Sequence, residues 1–165
     1  MLSRSGFSLI ELMISISLCF LIVGLIFYNV HFLNKFTVRS QIDLLYAHCM
    51  YLRQSAITEN RNIVLALDPS KKSYSYLDYT YKLPSTVQFG FPDYAYGPPS
   101  RPHKKLSLPI TFKNNEILFY KDGIISSGVI YLTDSSKQFL YALSNGISQF
   151  SYMRRYRYTS RWQKY

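Results

Sequence analysis

The chain is short of acid: nine Asp and Glu stand against 19 Lys and Arg, a formal charge of +10 over 165 residues. That balance excludes an acidic surface and favours negatively charged partners, such as nucleic acid, an anionic membrane or an acidic polymer. It is also short of cysteine, and the two present are too few for a disulfide framework. If Cys19 and Cys49 lie on one helix, their spacing of 30 residues separates them by about 45 Å, far beyond the roughly 7 Å that a disulfide can span. Both are therefore expected to be unpaired, Cys19 as a membrane-facing apolar residue and Cys49 as part of a core. Enzyme signatures are missing as well. There is no glycine-rich phosphate loop, no His-Glu-x-x-His and no nucleophile elbow, and the three histidines are scattered as His31, His48 and His103. His48 points away from its neighbour Cys49 on a helix and is expected to be solvated. Asp68 and Asp78, which flank Lys71 and Lys72, read as strand ends. We expect no catalysis, no cofactor and no metal.

Charge is absent altogether from one long stretch. Leu12 to Asn34 is a run of 23 residues without Lys, Arg, Asp or Glu, and at about 1.5 Å per residue it spans about 34 Å, enough for a bilayer core of about 30 Å. Glu11 stands at its start, where a carboxylate needs a cation. Arg4 in the leader sets the orientation, with the N-terminus cytoplasmic and the following domain periplasmic. A secretory signal peptide fits poorly, because the run is too long and no small-x-small site follows it. A lipoprotein signal needs a small residue before its cysteine, and Leu18 precedes Cys19. A plain single-pass anchor accounts for the run but not for Glu11 or Gly6.

Beyond the run, Val38, Ile42, Leu45, Cys49, Leu52 and Ala56 recur at spacings of three and four. They make one apolar stripe of an amphipathic helix that should lie on a globular domain and end near Asn60 to Asn62. The other faces carry Arg39, Gln41, Asp43, Arg53 and Gln54. Strands are expected over Ile63–Leu67, Ser73–Tyr79, Val87–Phe91, Pro109–Phe112, Ile117–Tyr120, Val129–Thr133, Phe139–Leu143 and Ile147–Met153. Turns are expected at Lys121-Asp122-Gly123, Asp134-Ser135-Ser136-Lys137 and Ser144-Asn145-Gly146. Between the strands, Pro92 to Pro109 holds five of the seven prolines together with Arg101, His103, Lys104 and Lys105. It reads as a solvated loop, or as a contact surface for a neighbouring subunit or an acidic polymer.

Gly6 followed by Phe7-Ser8-Leu9-Ile10-Glu11-Leu12-Met13 resembles the processing site of type IV prepilins and type II secretion pseudopilins. The resemblance implies that a prepilin peptidase cuts after Gly6 and methylates the new N-terminus at Phe7. Glu11 then becomes the fifth residue, which guides assembly by pairing with the amine of a neighbouring subunit. It also implies other pilin or pseudopilin subunits and an inner-membrane assembly platform as partners, with the membrane itself. No helix-kinking proline occurs in the membrane half, where Gly24 is the one flexible point. The disulfide loop common in major pilins is missing, which leans toward a minor component.

The run from Ile110 to Phe150 is similar in pattern to the H-type pseudopilins and the FimT group of minor pilins. The fold class that follows is α+β: a long N-terminal helix, with a membrane half and an amphipathic half, packed on antiparallel β-sheets. The divisions are a cleaved leader 1–6, a transmembrane and assembly helix 7–34, its amphipathic continuation 35–61, a β domain 62–157 and a basic aromatic tail 158–165.

The last fourteen residues, Tyr152 to Tyr165, hold five cations and no acid: Arg154, Arg155, Arg157, Arg161 and Lys164, interleaved with Tyr152, Tyr156, Tyr158, Trp162 and Tyr165. Such interleaving suits DNA, since cations meet phosphates and aromatic faces stack on bases at about 1 to 3 kcal/mol each. Arg155-Tyr156-Arg157 is similar to the Arg-x-Arg part of a motif in the FimT group, which is tied to DNA uptake in natural transformation. Arg154 stands where that motif has glycine. The competing readings are contact with another subunit or anionic lipid, and a last strand whose tyrosines face a core while Arg155 and Arg157 project together as a soluble edge. Within the whole chain three roles compete: a pilus minor pilin that captures DNA, an H-type pseudopilin of type II secretion without a DNA role, and an uncleaved membrane-anchored basic adaptor.

Overall fold

A computed structural model describes residues 8–97, 103–146 and 153–165, and of 26–32 only the backbone. Gly6, Phe7, Arg4, Arg101, Tyr152 and most of the expected strand Ile147–Met153 lie outside the described residues. The chain is α+β. In chain order it forms α1 (Leu9–Thr58), β1 (Ile63–Asp68), β2 (Ser73–Tyr76), β3 (Tyr79–Lys82), β4 (Val87–Phe89), β5 (Glu116–Phe119), β6 (Gly128–Asp134), β7 (Leu140–Asn145), β8 (Met153–Tyr158) and β9 (Trp162–Lys164), with a 3-10 turn at Lys113–Asn115 before β5. It divides into two compact units, Met1–Asn34 and Lys35–Tyr165.

In the first unit the large apolar side chains of α1 from Leu9 to Leu25 are exposed, among them Leu9, Met13, Phe20 and Leu21. The backbone N–H of Ser8 donates to Oε2 of Glu11 at 3.0 Å, so the carboxylate caps the first helical turn. The hydroxyls of Ser15 and Ser17 turn back onto the carbonyls of Glu11 and Met13, which removes two polar groups from an otherwise apolar surface. Among the described residues no helix is long and apolar enough to cross a membrane. The run Leu12–Asn34 includes 26–32, whose side chains lie outside that description.

In the second unit all six stripe residues, Val38 to Ala56, are completely buried. They share one core with Ile63 and Leu65 of β1, Ile117 and Phe119 of β5, Ile130 and Leu132 of β6, and Leu143 of β7. The helix stops where Asn60 takes φ 50°. Arg61 N–H reaches back to Ala56 O and Asn60 N–H to Ile57 O, each at 3.2 Å. This is a Schellman closure, with Asn supplying the left-handed residue, and it ends α1 at Thr58, slightly before the expected Asn60 to Asn62. Gln41, expected on a polar face, is buried instead at 8 % exposure.

Two antiparallel sheets cover the helix, one ordered β3-β2-β1-β5 and the other β4-β6-β7-β8-β9. The expected strand Ser73–Tyr79 is in fact a hairpin, with β2 and β3 paired through Tyr76 and Tyr79. Leu77 makes the turn at φ 49°, a conformation uncommon for a residue with Cβ, and for that reason not signalled by its side chain. Pro109–Phe112 forms only a single bridge, Ile110 to Ile130. The turn at Lys121-Asp122-Gly123 closes as expected, with Gly123 at φ 81°. Arg53 of α1 donates to Gly123 O at 2.8 Å. Ser144-Asn145-Gly146 is not a tight turn, because β7 runs through Asn145. Its side-chain amide is buried and donates to Ile125 O at 2.8 Å and Ser126 O at 3.1 Å.

The second sheet is apolar on both faces. Ile130, Leu132, Tyr141, Leu143 and Met153 belong to the core shared with α1. Val129, Tyr131, Leu140 and Ala142 point the other way, where Ala95 and Leu106 cover them. The Pro92 to Pro109 segment is therefore not simply a solvated loop; a bridge between Tyr96 and Lys105 closes it, and its apolar residues form a second small core. Packing is tight at the start of β6, where a Cβ added to Gly128 would stand 2.5 Å from the Phe112 ring.

Candidate functional site

The basic aromatic tail folds back on itself. β8 pairs with β7 and then with β9, with Tyr156 opposite Lys164, Arg157 opposite Gln163 and Tyr158 opposite Trp162. Side chains alternate along a strand, and directly opposed residues share a face. The candidate DNA residues are thereby divided: Arg154, Tyr156, Lys164 and Trp162 stand on one face of the sheet, and Arg155 and Arg157 on the face toward α1. Arg161 lies in the connection between the strands and is exposed, as are Arg154 and Lys164.

Arg155 does not project freely beside Arg157 as a soluble edge. Its Nη1 donates to Oδ1 of Asp43 on α1 at 2.8 Å. Its guanidinium lies 4.6 Å from the centre of the Tyr46 ring and 5.4 Å from that of Tyr165. Asp43 also faces Arg39 at 3.8 Å, and the Tyr165 hydroxyl lies 3.4 Å from the same Oδ1 that Arg155 uses. This knot joins the end of the chain to the helix across 112 residues of sequence. Its charge-assisted bond and stacked rings hold β8 in place. It takes Arg155 out of the set available to a phosphate.

Trp162 is likewise committed. Its indole N–H donates to Tyr96 O at 3.2 Å and to the neighbouring carbonyl of Gly97. Its ring packs 5.0 Å from Tyr158 and 5.8 Å from Tyr131, centre to centre. The ring expected to stack on a base closes the second core instead. Burial raises the Tyr131 phenol well above its usual range, so that hydroxyl stays neutral within the cluster.

His48 is half-buried rather than fully solvated. Its Nδ1 lies 2.9 Å from the Tyr74 hydroxyl. Its ring sits against Tyr74, Tyr76 and Tyr81 at 5.4 to 6.0 Å. Partial burial pulls the imidazole below its usual pKa. Cys19 is exposed and Cys49 buried, both as free thiols, and burial pushes the Cys49 thiol far up, which makes it a poor nucleophile. Asp68 ends β1 and caps the following turn, accepting from the backbone of Ser70 and Lys71 at 3.0 Å each. The Ser70 hydroxyl donates to the same oxygen at 2.5 Å, and this bond first, with the backbone ones, holds the carboxyl below its usual range.

The sequence offered no signal for Asp43 or Tyr46 as partners of the tail. Only the antiparallel return of β8 beside the helix brings them together. Compared with known proteins, the chain matches no family model, no curated protein and no solved structure.

Proposed function

We propose that the chain is a minor type IV pilin or pseudopilin. It waits in the inner membrane with its N-terminus inside, a prepilin peptidase cleaves it after Gly6 and methylates Phe7, and an assembly platform draws it into a fibre with other subunits. The observation that carries the reading is Gly6 followed by Phe7-Ser8-Leu9-Ile10-Glu11 directly ahead of the uncharged run Leu12 to Asn34. The carboxylate of Glu11 and a new amine at Phe7 are opposite charges in surroundings of low dielectric, where a pair between neighbouring subunits orders their stacking. The work of the long N-terminal helix is assembly: an apolar half for membrane and fibre, and an amphipathic half that carries the periplasmic domain. Mass spectrometry of the membrane-extracted protein tests this. The mature chain should begin at methylated Phe7, and retention of Met1 to Gly6 in cells with an active peptidase overturns the reading in favour of an uncleaved adaptor.

A second reading adds DNA capture for uptake. It is favoured by the exposure of Arg154, Arg161 and Lys164 around the half-buried Tyr156. Three phosphate contacts give a log–log salt slope of about −2.7 for duplex binding. Replacing Arg154 and Arg161 by Gln should flatten that slope and weaken binding. Absence of salt-dependent binding leaves a pseudopilin of type II secretion without a DNA role.

A further inference from the structure

Between α1 and the β8–β9 hairpin, within the second unit, lies a cleft of about 120 Å³ lined by Arg39, Tyr141, Arg157, Gln163, Lys164 and Tyr165. Its size is below the roughly 300 Å³ at which pockets begin to hold whole small molecules, so it suits a single group. Its charge is unbalanced. Arg39, Arg155 and Arg157 converge on this side of the sheet, and Asp43 is the one carboxylate that meets any of them within 4 Å among the described residues. Arg155 holds that carboxylate at 2.8 Å, while Arg39 reaches its other oxygen only at 3.8 Å. Arg157 is half-buried on β8 and has no acid partner among the described residues. A guanidinium partly withdrawn from water without a counter-ion is costly, and an anion in the cleft would relieve that cost.

The surrounding groups are donors. Two guanidiniums offer planar forks, and Gln163 adds an amide. Burial raises the phenol of Tyr141, with Arg157 and Arg39 pulling the other way. It therefore keeps its proton near neutral pH, and both guanidiniums lie close enough to act on it.

We infer that this cleft is a binding site for one phosphoryl group, clamped between Arg39 of α1 and Arg157 of β8. A phosphoryl group presents several acceptor oxygens in different directions, which matches donors arriving from a helix and two strands better than the two coplanar oxygens of a carboxylate do. The site stands apart from the fibre reading. It shares its ligand chemistry and one lining residue, Lys164, with DNA capture, whose other exposed cations, Arg154 and Arg161, do not line it.

The test is a titration of the full-length protein, in micelles of an uncharged detergent, with inorganic phosphate at constant ionic strength, followed by amide NMR. Saturable shifts are expected at Arg157 and Gln163. Arg157→Gln should weaken binding about tenfold, the loss of one charge-assisted hydrogen bond. Arg39→Gln, at an exposed helix position where misfolding is not at issue, should do the same, and Lys121→Gln on the far turn should change nothing. Competition by oligothymidylate assigns the group to a nucleic-acid backbone. Competition by glycerophosphoglycerol alone assigns it to a lipid headgroup, and competition by neither assigns it to free phosphate; each of these supports the site. Shifts that never saturate, or that persist unchanged in both arginine variants, overturn it. Either result leaves the mass of the mature N-terminus, and so the fibre reading, untouched.

Discussion

The two described halves of α1 have the same backbone conformation and opposite relations to apolar surface. Between Leu9 and Leu25 the large apolar side chains are 46 to 76 % exposed, whichever way they point. Between Val38 and Ala56 one stripe is fully buried, and charges occupy the flanks. An all-round apolar helix has no inner side from which to build its own domain, whereas a stripe spaced at three and four defines one. The large apolar side chains of the first half, Leu9 to Leu25, are left exposed, and the stripe of the second is covered by the two sheets. That contrast separates the residues that hold the domain together from those that take no part in its core.

The largest effect that would sharpen this contrast is in the stripe. Leu52→Ala should lower the stability of the domain by about 2 to 5 kcal/mol in chemical denaturation, from lost burial plus the cavity left behind. Leu18→Ala should leave it within about 0.5 kcal/mol, and equal losses at both positions would break the comparison. Next is the flank of the stripe: Asp43→Asn weakens the bond to Arg155 and should cost about 1 kcal/mol, a modest figure because both side chains remain about one-third exposed. A double-mutant cycle with Arg155→Gln isolates the pairwise part of that loss.

A smaller effect belongs to His48. Its pKa is lowered in the fold by burial, so the unfolded chain binds a proton more readily. Stability should therefore be complete above about pH 6.5 and decline as pH falls below it. His48→Phe should flatten that part of the profile, measured by thermal unfolding between pH 5 and pH 8. The smallest effect on folding belongs to Glu11→Gln, which should leave the denaturation curve of the domain unchanged while reducing recovery of the protein in sheared fibres. Unchanged recovery would count against the pairing of Glu11 with a neighbour.

The stripe was legible in the sequence because a helical period is local, and six positions suffice to state it. The turn at Lys121 to Gly123 was legible because glycine is the residue that its backbone needs. The rest depended on distance along the chain or on exceptions. Nothing in Leu77 announces a hairpin, since a bulky residue rarely takes a left-handed conformation. Asn145 carries the composition of a turn, but its amide is used to satisfy the carbonyls of Ile125 and Ser126. The tail misled most. Alternation placed Arg155 and Arg157 on one face, as the structure has them, yet it could not reveal that the face is covered by α1, that Asp43 waits there, or that β9 returns to give Trp162 a hydrogen bond to the loop. Cations and aromatics in a row are equally the composition of an exposed binding tail and of a hairpin packed on both sides.

Trp162 is the only tryptophan of the chain, and its indole N–H is fixed on the carbonyls of Tyr96 and Gly97. The protein thus carries a built-in optical reporter at one defined place. Opening of the proline-rich segment from the second sheet would hydrate that ring and shift its emission to the red, while motion elsewhere would leave the spectrum unchanged. A change of colour on meeting a partner or ligand can therefore be assigned to this seam without any label being attached.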